Sequence, residues 1–339
     1  QDDMYIRWSD QEDINTYTPT ATNTAGTQRI ADGTRIVGAI RGRDAIYVWT
    51  DNAMFIMRFV GAPFTFSFQQ VGTGCGLIGK NAAVEVDGSA YWMSENGFFR
   101  YTGKLESLAC LVEDYVFDDL NTIPRNHINA GLNNLFGEVT WFYASSGATS
   151  IDRAVTYNYM DSTAERPVWT TSSLDRTAWA DSAVFGKPHA TYYDPDSTSD
   201  STVGNTDGAT TYYEHETGVN QVKAGTTSAI AANIESGDFD LDQQRGLGGD
   251  GEYMLKVRRI IPDFLQQTGN AIVTLNLRDF ANQSSSGSTL GPFTSGTSTT
   301  KIDTRARGRA ASLKISNTAQ GTHWKLGTFK LDIQPDGRR

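Results

Sequence analysis

The chain has 339 residues, 38% of them hydrophobic and 20% charged, with 39 acidic against 29 basic side chains and a formal net charge of −10. That length exceeds the roughly 250 residues at which one core usually stops growing, so two domains are expected. No apolar run approaches the ~18 residues of a membrane-spanning helix, and the opening "QDDMYIRWSD" lacks the basic and apolar regions of a secretion signal, so a soluble chain with no membrane insertion is expected.

The 33 glycines stand beside only 9 prolines and many Ser, Thr, Asn and Asp residues, a mix that favours short strands joined by polar turns. Helical periodicity is sustained only between Leu108 and Leu120. The chain therefore reads as mainly β.

Residues 1–29 read as a lead-in segment, and a first residue of Gln1 rather than Met points to a processed or missing start. From residue 30 to 224, aromatic strand centres recur at Tyr47 ("AIYVWTD"), Trp92 ("SAYWMSE"), Trp141 ("EVTWFYA") and Tyr193 ("HATYYDP"). Steps of 45, 49 and 52 residues match the period of four-stranded propeller blades, so a propeller-like domain of repeated antiparallel meanders is expected there. Within one repeat, "NAAVEVDGSAYWMSENGFFRYTG" gives three strands separated by Asp87-Gly88 and Asn96-Gly97, pairs that supply the positive φ angles of tight hairpins. Its Trp92 and Phe98 are expected to be scaffold, packed between strands.

From 225 to 339 the texture changes to longer alternating strands, among them "EYMLKVRRIIPDF", "AIVTLNLRDF" and "ASLKISN", which read as an antiparallel β-sandwich. "ANQSSSGSTLGPFTSGTSTT", at 281–300, is expected to be a long loop. Charge divides with the texture: 28 acidic and 15 basic residues in 1–224, against 11 and 14 in 225–339.

Candidate chemistry is thin. Cys75 and Cys110 are 35 residues apart with no metal-binding spacing, consistent with buried thiols or with one disulfide. Asp238, Asp240 and Asp242 mimic the start of a calcium loop, but Gln243 and Gly249 stand where that loop needs Gly and Glu, so a solvated strand end is expected. His127, His189, His215 and His323 form no zinc motif, and His215 in "YYEHETG" reads as a hairpin-turn residue. Glycosidases need paired carboxylates, whereas the neighbours Asp118-Asp119 and Asp2-Asp3 would point to opposite faces of a strand. "GTGCGLIG" lacks the ending of a phosphate loop. No catalytic residue, cofactor or metal is assigned, and the chain is not expected to be an enzyme.

The clearest positive signal is "TRARGRAASLKI": on a strand, Arg305, Arg307 and Arg309 share one face, with Thr304, Ala306 and Gly308 on the other. Aromatic stacking partners and a basic domain are missing, so contact with carboxylates of a protein partner is favoured over a solvated face or a nucleic-acid grip. Arg258 and Arg259 complete the candidate protein–protein interface.

The runs "RWSDQED" at 7–13, "GAPFTFSFQQVGTGCGLIG" at 61–79, "VDGSAYWMSENGFFRY" at 86–101, "DYVFDDLN" at 114–121, "RRIIPDF", "TRARGR" and "LDIQPDGRR" resemble virion proteins of short-tailed bacteriophages. The family resembled is that of tail nozzle or hub proteins, also called tail tubular protein B or packaged-DNA stabilisation proteins, and the likeness spans nearly the whole chain. It implies a homo-oligomer, a hexamer below the portal-adaptor complex, that forms the distal conduit for double-stranded DNA and plugs it until ejection. The implied partners are the tail adaptor and tail fibre or tailspike proteins, in a virion assembled in the host cytoplasm. It also implies further residues ahead of "RWSDQED". The alternative reading is a phage receptor-binding or glycan-degrading tail protein with a propeller.

Overall fold

The computed structural model describes residues 2–194, 209–223, 225–241, 253–280 and 288–338. The chain is mainly β and divides into two compact units, Gln1–Glu216 and Thr217–Arg339.

In the first unit, β1 (Tyr5–Trp8) and β2 (Gly26–Arg29) form a lead-in hairpin. A four-stranded meander follows, made of β3 (Ile36–Arg41), β4 (Ile46–Thr50), β5 (Ala53–Gly61) and β6 (Thr65–Thr73). The second meander is β7 (Ala83–Val86), β8 (Ser89–Ser94), β9 (Gly97–Tyr101) and β10 (Leu105–Leu108). The third is β11 (Asn129–Asn133), β12 (Glu138–Tyr143), β13 (Arg153–Asn158) and β14 (Trp169–Ser172). A three-stranded sheet of β15 (Ala178–Ala180), β16 (His189–Asp194) and β17 (Ala209–Glu214) completes the series. The first strands β3, β7, β11 and β15 neighbour one another in that order, so the sheets fan out like successive blades. Among the described residues no equally close pair joins β15 back to β3.

The expected aromatic centres all fall on the second strand of a sheet, namely β4, β8, β12 and β16. Trp49, Trp92 and Trp141 are fully buried, and Trp49 lies 5.3 Å from Trp92 between ring centroids. Phe98 sits 4.8 Å from both Trp141 and Trp169. Sheets covered on both faces need strands apolar at consecutive positions, which is why Tyr91, Trp92 and Met93 are all buried. A buried indole usually takes a partner for its N–H. Trp92 Nε1 donates to the Cys75 carbonyl at 2.8 Å, Trp141 to Ala82 at 3.0 Å and Trp179 to Leu132 at 2.8 Å, so each sheet is tied back to the chain of the one before it. Tyr193 breaks the pattern, being 41% exposed; on the fourth sheet Trp179 takes the packing role, 5.5 Å from Phe142.

Local signals held to differing degrees. Asp87 and Gly88 both have positive φ, 48° and 88°, in the two-residue turn between β7 and β8. At the next turn Ser94 pairs with Gly97, so Glu95 and Asn96 form the loop and Gly97 alone has positive φ, 119°. The helical stretch contracts to α1 (Glu113–Asp118), anchored by buried Val116, and Asp118-Asp119 stands at its end rather than on a strand. Cys75 and Cys110 are free thiols.

The second unit begins earlier than the break expected at 224/225. The hairpin of β18 (Asn220–Lys223) and β19 (Thr226–Ala229) belongs to it, held by Gly321 N donating to Asn220 Oδ1 and Gln320 Nε2 to the Thr227 carbonyl, both at 2.7 Å. Then come β20 (Ala232–Glu235), β21 (Tyr253–Ile261), β22 (Phe264–Thr268), β23 (Ala271–Arg278) and β24 (Ser288–Ser295). β25 (Ile302–Gly308), β26 (Ala310–Asn317), β27 (His323–Leu326) and β28 (Lys330–Arg338) follow. One sheet orders as β20-β26-β23-β24 and the other as β25-β21-β28; Leu255, Val257 and Ile260 of the latter meet Val273, Leu275 and Leu277 of the former in one core. This is the sandwich that alternation leads one to expect. The Ser/Gly/Thr-rich stretch is not all loop, since 288–295 is β24, with Leu290 and Phe293 packed on the core; 281–287 lie outside the described residues, as do Asp242, Gln243 and Gly249 of the acidic run. Asp238 pairs with Arg278 at 3.1 Å.

Truncating a buried Trp typically costs about 3–5 kcal/mol, so Trp92→Ala is expected to lower unfolding stability by about that much in a denaturant titration, while Tyr193→Ala changes it little. Equal effects of the two substitutions would contradict this packing.

Candidate functional site

The arginine-bearing strand β25 alternates as the pattern requires: Ile302, Ala306 and Gly308 are buried, while Asp303, Arg305 and Arg307 are exposed. Its neighbour β21 buries Leu255, Val257 and Ile260. The three-residue step from Val257 to Ile260 breaks strict alternation, and the pairing register shifts there against both β25 and β28. Such a bulge turns two consecutive side chains toward one side, so Arg258 and Arg259 both line the outer face. Thr304 Oγ1 donates to the Val257 carbonyl at 2.6 Å, satisfying backbone at the irregularity.

Together these residues enclose a groove of about 430 Å³ lined by Lys256, Arg258, Arg259, Arg305 and Arg307, with Asp303, Thr304 and Asp336. Part of its charge is matched internally. Arg307 donates from Nε to Asp336 Oδ2 at 2.6 Å and from Nη2 to the Asp336 carbonyl at 3.2 Å. Asp303 accepts from Arg259 Nε at 3.1 Å and lies 2.9 Å from Lys301 Nζ. Lys301 and Arg259 hold its carboxyl below the usual range. Lys256, Arg258 and Arg305 have no carboxylate in ion-pair range among the described residues. Planar guanidiniums with free donors suit carboxylate or phosphate oxygens, which they bind in a forked geometry.

Four of the five expected interface arginines are thus brought together: Arg258, Arg259, Arg305 and Arg307. Arg309 is not in the row. β25 ends at Gly308, and Arg309 sits at the step into β26, where its N–H donates to the Arg278 carbonyl at 2.8 Å and its Nε is buried without a hydrogen-bond partner among the described residues.

A second concavity, about 470 Å³, lies at Arg41, Gly42, Arg43, Glu85, Asp87 and Gly88. Glu85 there accepts from Gly88 N at 2.5 Å, a turn-stabilising role. Among the described residues no group of three or more His, Cys, Asp and Glu is placed to hold a metal ion.

One polar cluster joins residues with no motif between them. Arg176 is 3% exposed, its Nε donates to His215 Nε2 at 2.9 Å, its Nη1 reaches Asp175 Oδ1 at 2.7 Å, and its guanidinium carbon lies 3.8 Å above the Tyr213 ring. His215 does not sit in a hairpin turn, since β17 before it pairs with β16 and β18 after it with β19; its half-buried ring lies 4.6 Å from that of Trp179, tilted by 48°. Burial first, then the Arg176 charge, pushes its pKa down from 6.5 to about 4, so it is a neutral acceptor at pH 7. The 39-residue separation of Arg176 and His215 left no local signal of the pair.

No protein-family model matches the chain, and no curated protein does. A solved structure described as a glycoside hydrolase aligns over 84% of each chain at 11% identity, with a TM-score of 0.26, too low to carry an argument about fold or function.

An unfolded His binds its proton near pH 6.5 and this folded one only near 4, so between those values the unfolded state takes up more protons and stability falls as pH falls. The denaturation midpoint is expected to drop across that window by more in the wild type than in His215→Gln, which keeps an acceptor for Arg176. Parallel pH profiles would contradict a depressed His215.

Proposed function

We propose that the chain is a virion structural protein of a short-tailed phage, forming the distal nozzle or hub ring through which packaged DNA leaves. The motifs quoted from "RWSDQED" to "LDIQPDGRR" support this reading, as does the two-part, mainly β architecture. The observation that carries it is the set of cations left over in the β21–β25 groove of a chain that is otherwise strongly acidic. Residues 1–216 hold 28 acidic and 14 basic side chains, and residues 217–339 hold 11 and 15. A surface of unmatched arginines on a chain with surplus carboxylates is a means of self-association, and a heterologous contact of that kind closes into a ring when its rotation allows.

The same charge suits a conduit. Six copies at −10 each surround a channel with negative potential, which keeps phosphates from adhering to the wall while DNA slides past. The groove is then a protein contact, and the tail adaptor and fibre or tailspike proteins are the neighbouring partners. Catalysis has no part in this role.

Purified particles of the parent phage are expected to contain the chain, with a fused tag labelled at the far end of the tail. Its absence from particles would contradict the proposal, as would release of reducing sugars from host surface glycans by the isolated chain.

A further inference from the structure

We infer that the groove between β21 and β25 of one copy receives the α1 segment of a neighbouring copy, with Asp114 and Asp118 entering against Arg258 and Arg305. The inference rests on the ring reading and names the surface that the ring contact uses.

Spacing selects this occupant. Asp114 and Asp118 are both exposed and four residues apart on α1, which places them about 5–6 Å apart on one helix face. Arg258 and Arg305 stand on neighbouring strands beside the register shift between Val257 and Arg259, about 5 Å apart across the pair. Two carboxylates one helical turn apart therefore match the repeat of the guanidiniums. Availability agrees: Asp119 is already engaged, accepting from Ser146 Oγ at 3.1 Å with Arg153 at 3.9 Å, whereas Asp114 and Asp118 have no cation in ion-pair range among the described residues.

The surroundings of α1 are those of a covered surface. Leu111 is 78% exposed and Tyr115, between the two aspartates, is 56% exposed. An aromatic ring beside a carboxylate pair adds a face on which an arginine stacks, and apolar rim contacts exclude water from the ion pairs. The groove supplies the complement, since Arg258 and Arg305 are exposed and lack carboxylates of their own, while Arg259 and Arg307 are oriented by Asp303 and Asp336. Arg307 keeps its internal bond and presents its remaining donors.

The test is a charge swap in the full chain, read by sedimentation velocity over a concentration series at low salt. Asp114→Lys with Asp118→Lys, and separately Arg258→Glu with Arg305→Glu, are each expected to weaken self-association about tenfold or more. An equimolar mixture of the two double variants, or the chain carrying all four changes, is expected to recover it to within about threefold; that recovery also shows that the variants fold. Association lost on the groove side but unchanged in the helix variant would overturn this pairing and leave the ring reading standing. A wild type that stays monomeric at every concentration would overturn both. Salt-sensitive retention of duplex DNA that disappears in Arg258→Glu/Arg305→Glu, with self-association unaltered, would make the groove a nucleic-acid site and overturn the inference.

Discussion

The first unit depends on one constraint: a sheet buried on both faces carries large apolar side chains at successive positions, and burying an indole favours an acceptor for its N–H. Trp92, Trp141 and Trp179 meet it by donating to carbonyls of Cys75, Ala82 and Leu132, each on the chain of the preceding sheet. Those bonds tie each of the three sheets to the stretch of chain ahead of it. Trp49, on the first sheet, has no such acceptor for its buried Nε1 among the described residues. The other face of that sheet is covered instead by the lead-in hairpin, where Met4 and Ile30 pack with Val48, Phe55 and Met57.

The second unit solves burial by alternation, and its surface chemistry comes from a local failure of that alternation. β23 reads buried and half-buried in strict turn. β21 alternates only from Leu255 to Val257, after which the bulge sends Arg258 and Arg259 to the same side and joins them to Arg305 and Arg307. Without the irregularity Arg259 would face the core, where an unpaired guanidinium is costly. The groove is thus a by-product of keeping Ile260 in the core while two consecutive arginines stay outside.

The sequence made parts of this legible because their signals are local. The sheet repeat follows from residues that must be large and buried, so the strand centres at Tyr47, Trp92 and Trp141 stand out in the sequence. Asp87-Gly88 marks its turn through backbone geometry alone. What stayed hidden depends on pairing between distant segments. Nothing in "KVRRII" shows which neighbour shifts register, so the grouping of Arg258 with Arg305 could be expected only as membership of one surface, and nothing local marks the end of β25 at Gly308, one residue before Arg309. β24 was obscured because Leu290 and Phe293 are the sole apolar anchors in a polar stretch. The Arg176–His215 pair required two segments to meet on the fourth sheet.

The proposed role needs this chain to work as one of several identical copies closed on themselves, with the arginine groove as the joint. Native mass spectrometry of the full chain at rising concentration tests it most directly. A closed assembly at a single stoichiometry, six times the 37.1 kDa chain, is the expected result, with no heavier series beyond it. A monomer throughout, or an open ladder of ever-larger species, would contradict it.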